Sequence, residues 1–368
     1  MKPTPFVNLV LSMVLAVTVT TILYLGRGII LPVVAATILV YLMSAATAAL
    51  ARLPGLKLLP GGVLSFLVVL VFSLAVALFA AVVAATVRSI IDVIPVYEAN
   101  LDRFIVNLAD RLNLDANDMW ESLRAATIDR IDIEAVTIAL LGNFTSLGGM
   151  IFLILIYAAF LTGERIGFPA KVARALPQAG DAQRVMTVVQ EVNAQITTYL
   201  SVKTLINIIL ATICFAILWF LDVDFALFWA IVIGMLNYIP YFGSYLGVAF
   251  PAILSLAQFG SLWWTILVTV LLTGAQFIVG NIVEPRMIGR QLNLSPFVVL
   301  IALAFWGALW GIPGAILAIP MTSILIIVLN QFSSTRFLAV LAAERIDPDP
   351  AVAAAHAPTA APHEPPAT

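Results

Sequence analysis

Eight stretches of this sequence are apolar for long enough to decide what the chain can fold into. A helix needs roughly 20 apolar residues to cross a ~30 Å hydrocarbon core, and inside lipid only structures that satisfy their own backbone hydrogen bonds survive. Residues 6–25, 29–50, 62–86, 148–162, 204–221 and 262–283 meet that length or approach it as helices. The first has no small-residue cleavage site behind it and reads as a retained span. Composition agrees: 62% of the 368 residues are apolar and 10% are charged, where a soluble domain is about a quarter charged. The expectation is an all-α, polytopic membrane protein with about six full transmembrane helices.

The other two stretches, 225–259 and 296–331, fit a single crossing badly. As straight helices they would be about 50 Å long. Each is interrupted near its middle, the first at Asn237-Tyr238-Ile239-Pro240-Tyr241-Phe242-Gly243 and the second at Gly311-Ile312-Pro313-Gly314. Proline removes a backbone donor and glycine loosens the chain, so both sites suit hairpin tips. The arms on either side hold about 15 residues, roughly 22 Å. They read as two broken helical hairpins that dip into the membrane and return.

Charge sets the expected topology, because Lys and Arg concentrate on the cytoplasmic side. The connection 51–61 carries Arg52 and Lys57 with no acid, and 164–203 carries five basic residues against three acids; both belong inside, with the N- and C-termini. Between them, 87–137 holds five arginines and ten acids and belongs outside. Its apolar residues, Ile90, Ile94, Leu101, Ile105 and Leu108 among them, recur at helical spacing and predict a small amphipathic helical extracytoplasmic insertion. The parts are therefore three transmembrane helices over 1–86, the acidic subdomain at 87–137, a transport core at 138–345, and an Ala/Pro-rich, disordered tail at 346–368. If both hairpins re-enter, the first opens from outside and the second from the cytoplasm, which places Arg286 and Arg290 inside as the charge rule prefers. If both cross once instead, the loop with these arginines lies outside.

Polar residues in so apolar a chain are the candidates for function. Oppositely oriented broken hairpins point to a transporter site, since unwound backbone is tolerated at membrane depth only where protein or water satisfies it. The first tip offers Asn237, Tyr238, Pro240, Tyr241 and Gly243, and the second Gly311, Pro313 and Gly314. The tyrosines also fit a plainer role as interfacial anchors. In 262–284, Thr273, Gln276, Gly280 and Glu284 step by three or four along one face, with Asn281 near its edge. Glu284 is either a coupling carboxylate or the partner of Arg286 at the helix end. Gln195, Tyr199, Lys203 and Asn207 follow one another at four-residue steps; the favoured reading is a helix at the cytoplasmic interface with Lys203 snorkelling, and the alternative is a stripe that lines the substrate path.

Several chemistries are excluded. His356 and His363 are the only histidines and Cys214 the only cysteine, so no thiolate metal cage, disulfide or intramembrane imidazole exists. No phosphate-binding glycine loop is present, so no nucleotide cofactor is expected. A net charge of −2 argues against nucleic acid as a partner. No catalytic site and no metal site is expected.

The segments Gly234-Met235-Leu236-Asn237-Tyr238-Ile239-Pro240-Tyr241-Phe242-Gly243, Asn281-Ile282-Val283-Glu284-Pro285-Arg286-Met287-Ile288-Gly289, Leu294-Ser295-Pro296 and Gly311-Ile312-Pro313-Gly314 with Pro320 resemble the autoinducer-2 exporter family of bacterial inner-membrane transporters, also called PerM-like permeases. The resemblance implies a multi-spanning permease, assembled as a homo-oligomer (a pentamer), that exports small molecules. Members are linked to the furanone-type quorum signal and some to sodium–proton exchange. The polar motif positions of that family fall here on Asn237, Pro240, Gly243, Asn281, Glu284, Pro285 and Gly289, with Arg286, Gly311 and Pro320 as gating or structural positions.

The expected function is secondary export of a small polar molecule by alternating access in the lipid bilayer. The alternatives are a sodium–proton antiporter, with Na+ or H+ as the partner of Glu284 and of Asp222 or Asp224, and a non-transporting membrane scaffold that recruits a partner through 88–137. The topology is testable by itself. With Cys214 replaced by Ser, a Lys57→Cys variant should react with an impermeant maleimide only after spheroplasts are permeabilised, whereas Asp110→Cys should react in intact ones.

Overall fold

The computed structural model describes residues 5–112, 133–176, 178–288, 293–332 and 335–344, and every regular element among them is a helix. Gly289, residues 113–132 of the acidic insertion and the tail from 345 onward lie outside the described residues. Seven of the helices are long and apolar enough to cross a membrane, by length and composition. The chain is an all-α, multi-pass membrane protein.

Helix α1 (Pro5–Leu25) leads into α2 (Arg27–Leu50) through a bend and not through a loop. The Gly26 N–H donates to the Ile22 carbonyl, and the Ile30 N–H to that of Gly26, so helical bonding continues across the joint. The described α1 side chains are almost all exposed. A short turn-rich connection leads to α3 (Gly61–Leu112). At 52 residues α3 is about 78 Å long, and the boundary expected between residues 86 and 87 falls inside it. Helices α4 (Ile133–Ala175) and α5 (Ala179–Phe220) are joined by a tight turn and run antiparallel. Ala36, Leu39 and Val40 of α2 pack on Ala158 of α4 with Phe72 of α3 alongside. Ile196, Tyr199 and Leu200 bind α5 to Ile38, Tyr41 and Leu42 of α2. Helix α5 is the spine: its Ile206, Leu210, Cys214 and Leu218 are fully buried in the largest apolar cluster.

Both interrupted stretches are helical hairpins. In the first, α6 (Ala226–Leu236) and α7 (Phe242–Phe259) lie antiparallel along their whole length. Trp229 stacks on Phe250 with ring centroids 5.9 Å apart, and near the tip a Cβ on Gly243 would collide with the Leu236 carbonyl. The open end is tied by Gln258, whose Nε2 donates to the Asp222 carbonyl at 2.7 Å and whose Oε1 accepts from the Asp224 N–H at 2.8 Å. That end is fastened to α3: the Tyr97 hydroxyl donates to the Asp224 carboxylate at 2.6 Å, and the Asn100 amide donates to the Gln258 carbonyl. Burial, followed by the Asp224 hydrogen bond and charge, pushes the Tyr97 phenol far above its ordinary pKa, so it stays a donor.

Helix α8 (Leu262–Ile278) returns beside α7, passes through a π turn (Val279–Val283) and ends in α9 (Glu284–Ile288). The second hairpin is α10 (Pro296–Asn330), reversed at Gly311 with φ 68° and ψ −145°, a region open essentially to glycine alone. Ser295 caps its start, accepting from the Val298 N–H, with Pro296 at the first helical position as expected for such a start. The Trp306 indole donates across the hairpin to Thr322 at 3.1 Å, and a Cβ on Gly314 would strike the Trp306 carbonyl. At its base Ser295 N–H bonds the Ala342 carbonyl of α11 (Arg336–Ala342). Its tip reaches the α1–α2 bend, where Trp310 Nε1 donates to the Leu23 carbonyl.

The two hairpins point in opposite directions. The α1–α2 bend and the Tyr97–Asn100 part of α3 lie towards the same end of the antiparallel α2–α3 pair, and the second hairpin's tip meets the first while the first hairpin's base meets the second. Adding a methyl at either closed tip must spread the arms, at a cost of about 1–3 kcal/mol or more. Gly243→Ala and Gly314→Ala should each lower the unfolding temperature in detergent by several degrees. Gly274→Ala, which meets open space, should leave it unchanged.

Candidate functional site

One turn of α5 carries three polar side chains, and all three are used. Lys203 Nζ donates to Glu284 Oε1 at 2.6 Å, Thr204 Oγ1 shares a hydrogen bond with the Tyr238 hydroxyl at 2.7 Å, and Asn237 Nδ2 donates to Asn207 Oδ1 at 2.8 Å. The first hairpin's tip and the C-terminal end of α8 are thereby fastened to the spine at one level. Gly234 allows α6 to come this close, since its Cβ would sit 3.1 Å from the Asn207 carbonyl. Lys203 is buried, with 4% of its side chain exposed against 26% for Glu284. A lysine in that position keeps its charge only with a partner at hand.

Two backbone irregularities shape the same place. Tyr241 has φ 63° and ψ −59°, and the Phe242 N–H reaches back to the Pro240 carbonyl at 2.7 Å. This is the rare positive-φ γ-turn, strained for any residue with a Cβ. The second irregularity is the π turn. From Gln276 to Glu284 a regular helix rotates about 800°, which would leave the two side chains about 80° apart. One extra residue in a turn takes back about 100°, bringing Glu284 to within about 20° of Gln276.

Between α7, the tip and α8 lies a cavity of about 930 Å³, the size of a small-molecule pocket. Of the residues singled out in the sequence, Asn237, Pro240, Tyr241, Thr273, Gln276, Asn281, Glu284 and Pro285 line it, together with Lys203, Ser244, Tyr245 and Glu344. Gln276 is 9% exposed, and its Nε2 is buried without a hydrogen-bond partner. The Asn281 amide bonds back to the Phe277 carbonyl at 3.1 Å. Tyr238 stands behind the lining, on Thr204, and Gly243 serves the hairpin's close packing.

The second hairpin's tip is not part of this site. Gly311 borders a separate cavity of about 460 Å³ with Arg27 and Trp310, while Gly314 and Pro320 are buried within the hairpin's own packing and Pro313 follows the reversal. Ile239 of the first hairpin's tip packs against the apolar cluster that holds Trp306 and Trp310 of the second. Arg286 is exposed, and Glu284 pairs with Lys203 in its place. Asp222 and Asp224 belong to the far end of the first hairpin.

Lys203 and Asn207 belong to the stripe that the sequence favoured as an interfacial face, and the structure brings both to the site. Their signal was the four-residue stripe with Tyr199, and all three are buried. The snorkelling expected of Lys203 is corrected: its carboxylate partner lies 81 positions further along the chain. The pair is asymmetric. Glu284→Gln leaves a buried ammonium uncompensated and should cost about 3–5 kcal/mol, read as a large fall in unfolding temperature. Lys203→Met leaves a carboxylate that the cavity can hydrate and should cost clearly less.

The sequence of this chain is similar to known proteins along most of its length. A family profile described as "AI-2E family transporter" matches residues 11–334. The chain is 35% identical over 202 residues to "AI-2 transport protein TqsA" of Escherichia coli (strain K12), covering 55% of this chain and 58% of that protein. It is 36% identical over 192 residues to a "Putative transport protein" of Borreliella burgdorferi, 52% of each. It is also 28% identical over 275 residues to "Putative transport protein YhhT" of Escherichia coli (strain K12), 75% of this chain and 78% of that protein. With the first two, the match thus spans a little over half of the relative's length. On the strength of the profile match, this chain belongs to the AI-2E transporter family.

Proposed function

We propose that this protein is a secondary transporter of the bacterial inner membrane that exports a small polar molecule, of the autoinducer-2 type, by alternating access. The observation that carries the reading is the cavity walled by the first hairpin and α8, where Asn237, Thr273, Gln276 and Glu284 meet in a chain with so few charges. The printed name of the TqsA relative supports the cargo class. Both hairpins are re-entrant in this reading, the first from outside and the second from the cytoplasm, with both termini cytoplasmic. The block formed by the first hairpin and α8 moves against α2–α5, and the bonds from Lys203, Thr204 and Asn207 are those exchanged between the two states. Such a cycle requires contacts with the ligand that differ between states. The chain has no nucleotide-binding loop, so a solute or ion gradient supplies the energy. Assembly as a homo-oligomer, a pentamer, is what the family resemblance implies.

One observation favours a second reading. Glu284 holds a carboxylate in the cavity wall against a buried lysine, an arrangement suited to exchanging Na+ for H+.

Purified protein in liposomes tests these readings together. Saturable movement of radiolabelled autoinducer-2, lowered at least tenfold by Asn237→Ala, is the expected result. Sodium-22 movement with proton counterflow, lost in Glu284→Gln, would establish the antiporter in its place. Liposomes inert to both solutes, with specific capture of a partner through residues 88–137, would leave a scaffold.

A further inference from the structure

We infer that the cavity selects uncharged, hydroxyl-bearing solutes and rejects anionic ones, with the Lys203–Glu284 pair and Gln276 setting the selection. The inference rests on the transport reading and adds the charge class of the cargo.

Among the described residues the lining contains one cation, Lys203, and two acids, Glu284 and Glu344. The ammonium is held at 2.6 Å by Glu284, so its charge is balanced within the protein, and Glu344 is exposed. An anion entering this space leaves water for mostly apolar walls and finds no uncompensated cation among the described lining residues to offset that loss. Lys203 has further N–H donors, but an anion that reached them would stand beside the Glu284 carboxylate, which repels it.

An uncharged solute faces neither obstacle, and the lining offers it something specific. Gln276 Nε2 is buried with no acceptor, a cost that a ligand oxygen would remove. Gly247 keeps the approach to that amide open, since a Cβ there would stand 3.3 Å from Nε2. The hydroxyls of Ser244 and Thr273 can donate or accept. A ligand hydroxyl also does both, so a polyol can accept from Gln276 and donate to an oxygen of Glu284. A volume of about 930 Å³ suits a small organic molecule and is far larger than an ion-coordination site needs.

Autoinducer-2 offers both charge states of one skeleton, as an uncharged hydrate in boron-free buffer and as an anionic borate diester in excess borate. Uptake of the labelled compound into liposomes containing the full chain should be at least tenfold faster for the hydrate. Glu284→Gln frees the ammonium and should narrow that ratio at least fivefold, whereas Lys203→Gln with Glu284→Gln should restore it. Gln276→Leu should slow uptake of the hydrate at least fivefold. Equal or faster uptake of the diester by the unaltered protein would overturn the inference while leaving transport intact. If neither form moves, the transport reading itself fails.

Discussion

A lysine with almost none of its side chain in contact with solvent needs a partner for its ammonium, and here that partner is Glu284. The rest of the site follows from that contact. To reach Lys203 the carboxylate must sit at the end of α8, on the side that faces α5. A regular helix would turn it away, and the π turn at Val279–Val283 turns it back. The first hairpin is then held against the same turn of α5 by Asn237 and Tyr238. The cavity is the space these constraints leave between α7 and α8. Replacing the pair by apolar residues of like volume would often be neutral or even stabilising in a buried setting. A charge pair kept in such a place is better understood through what it does than through what it stabilises.

The hairpins solve a different problem. A stretch of about 35 apolar residues interrupted at its middle is too long for one crossing and short for two. Folding it back on itself lets each arm satisfy its own backbone and confines the irregular bonds to the tip. The glycines mark where the arms touch. Gly243 and Gly314 sit beside the carbonyls of the opposite arm, and Gly311 takes a backbone conformation that side chains exclude. Among the described residues Asp222, Phe225 and Tyr241 are the non-glycine residues with positive φ; the first two shape the open end of the first hairpin, and Tyr241 stands at its tip and in the cavity wall, where the neighbouring contacts hold it in place.

Much of this was legible in the sequence because hydropathy and chain breakers are local. The apolar lengths marked the helices, and Pro240 and Gly311 marked the reversals. The polar face of Thr273, Gln276 and Glu284 marked one wall of the cavity. What could not be read depends on pairing across distance. No local pattern distinguishes a lysine that snorkels from one that meets a carboxylate 81 residues on. The π turn is invisible to a periodicity count, which assumes 3.6 residues per turn throughout. The resting place of the second tip, on Leu23 and beside Arg27, is set by contacts between residues far apart in the chain. The bend at Gly26, read in sequence as a gap between two spans, keeps its helical bonds.

Helix α3 runs as one helix from Gly61 to Leu112, well over twice as long as a hydrocarbon core is thick. Pro95 interrupts its bonding once: without an N–H it leaves the carbonyl one turn earlier without its helical donor, the ordinary cause of a kink. Just beyond that point Tyr97 and Asn100 grip the open end of the first hairpin. The weakest joint of the long helix therefore lies beside the grip, so its projecting end can bend there without dragging the membrane-buried stretch along.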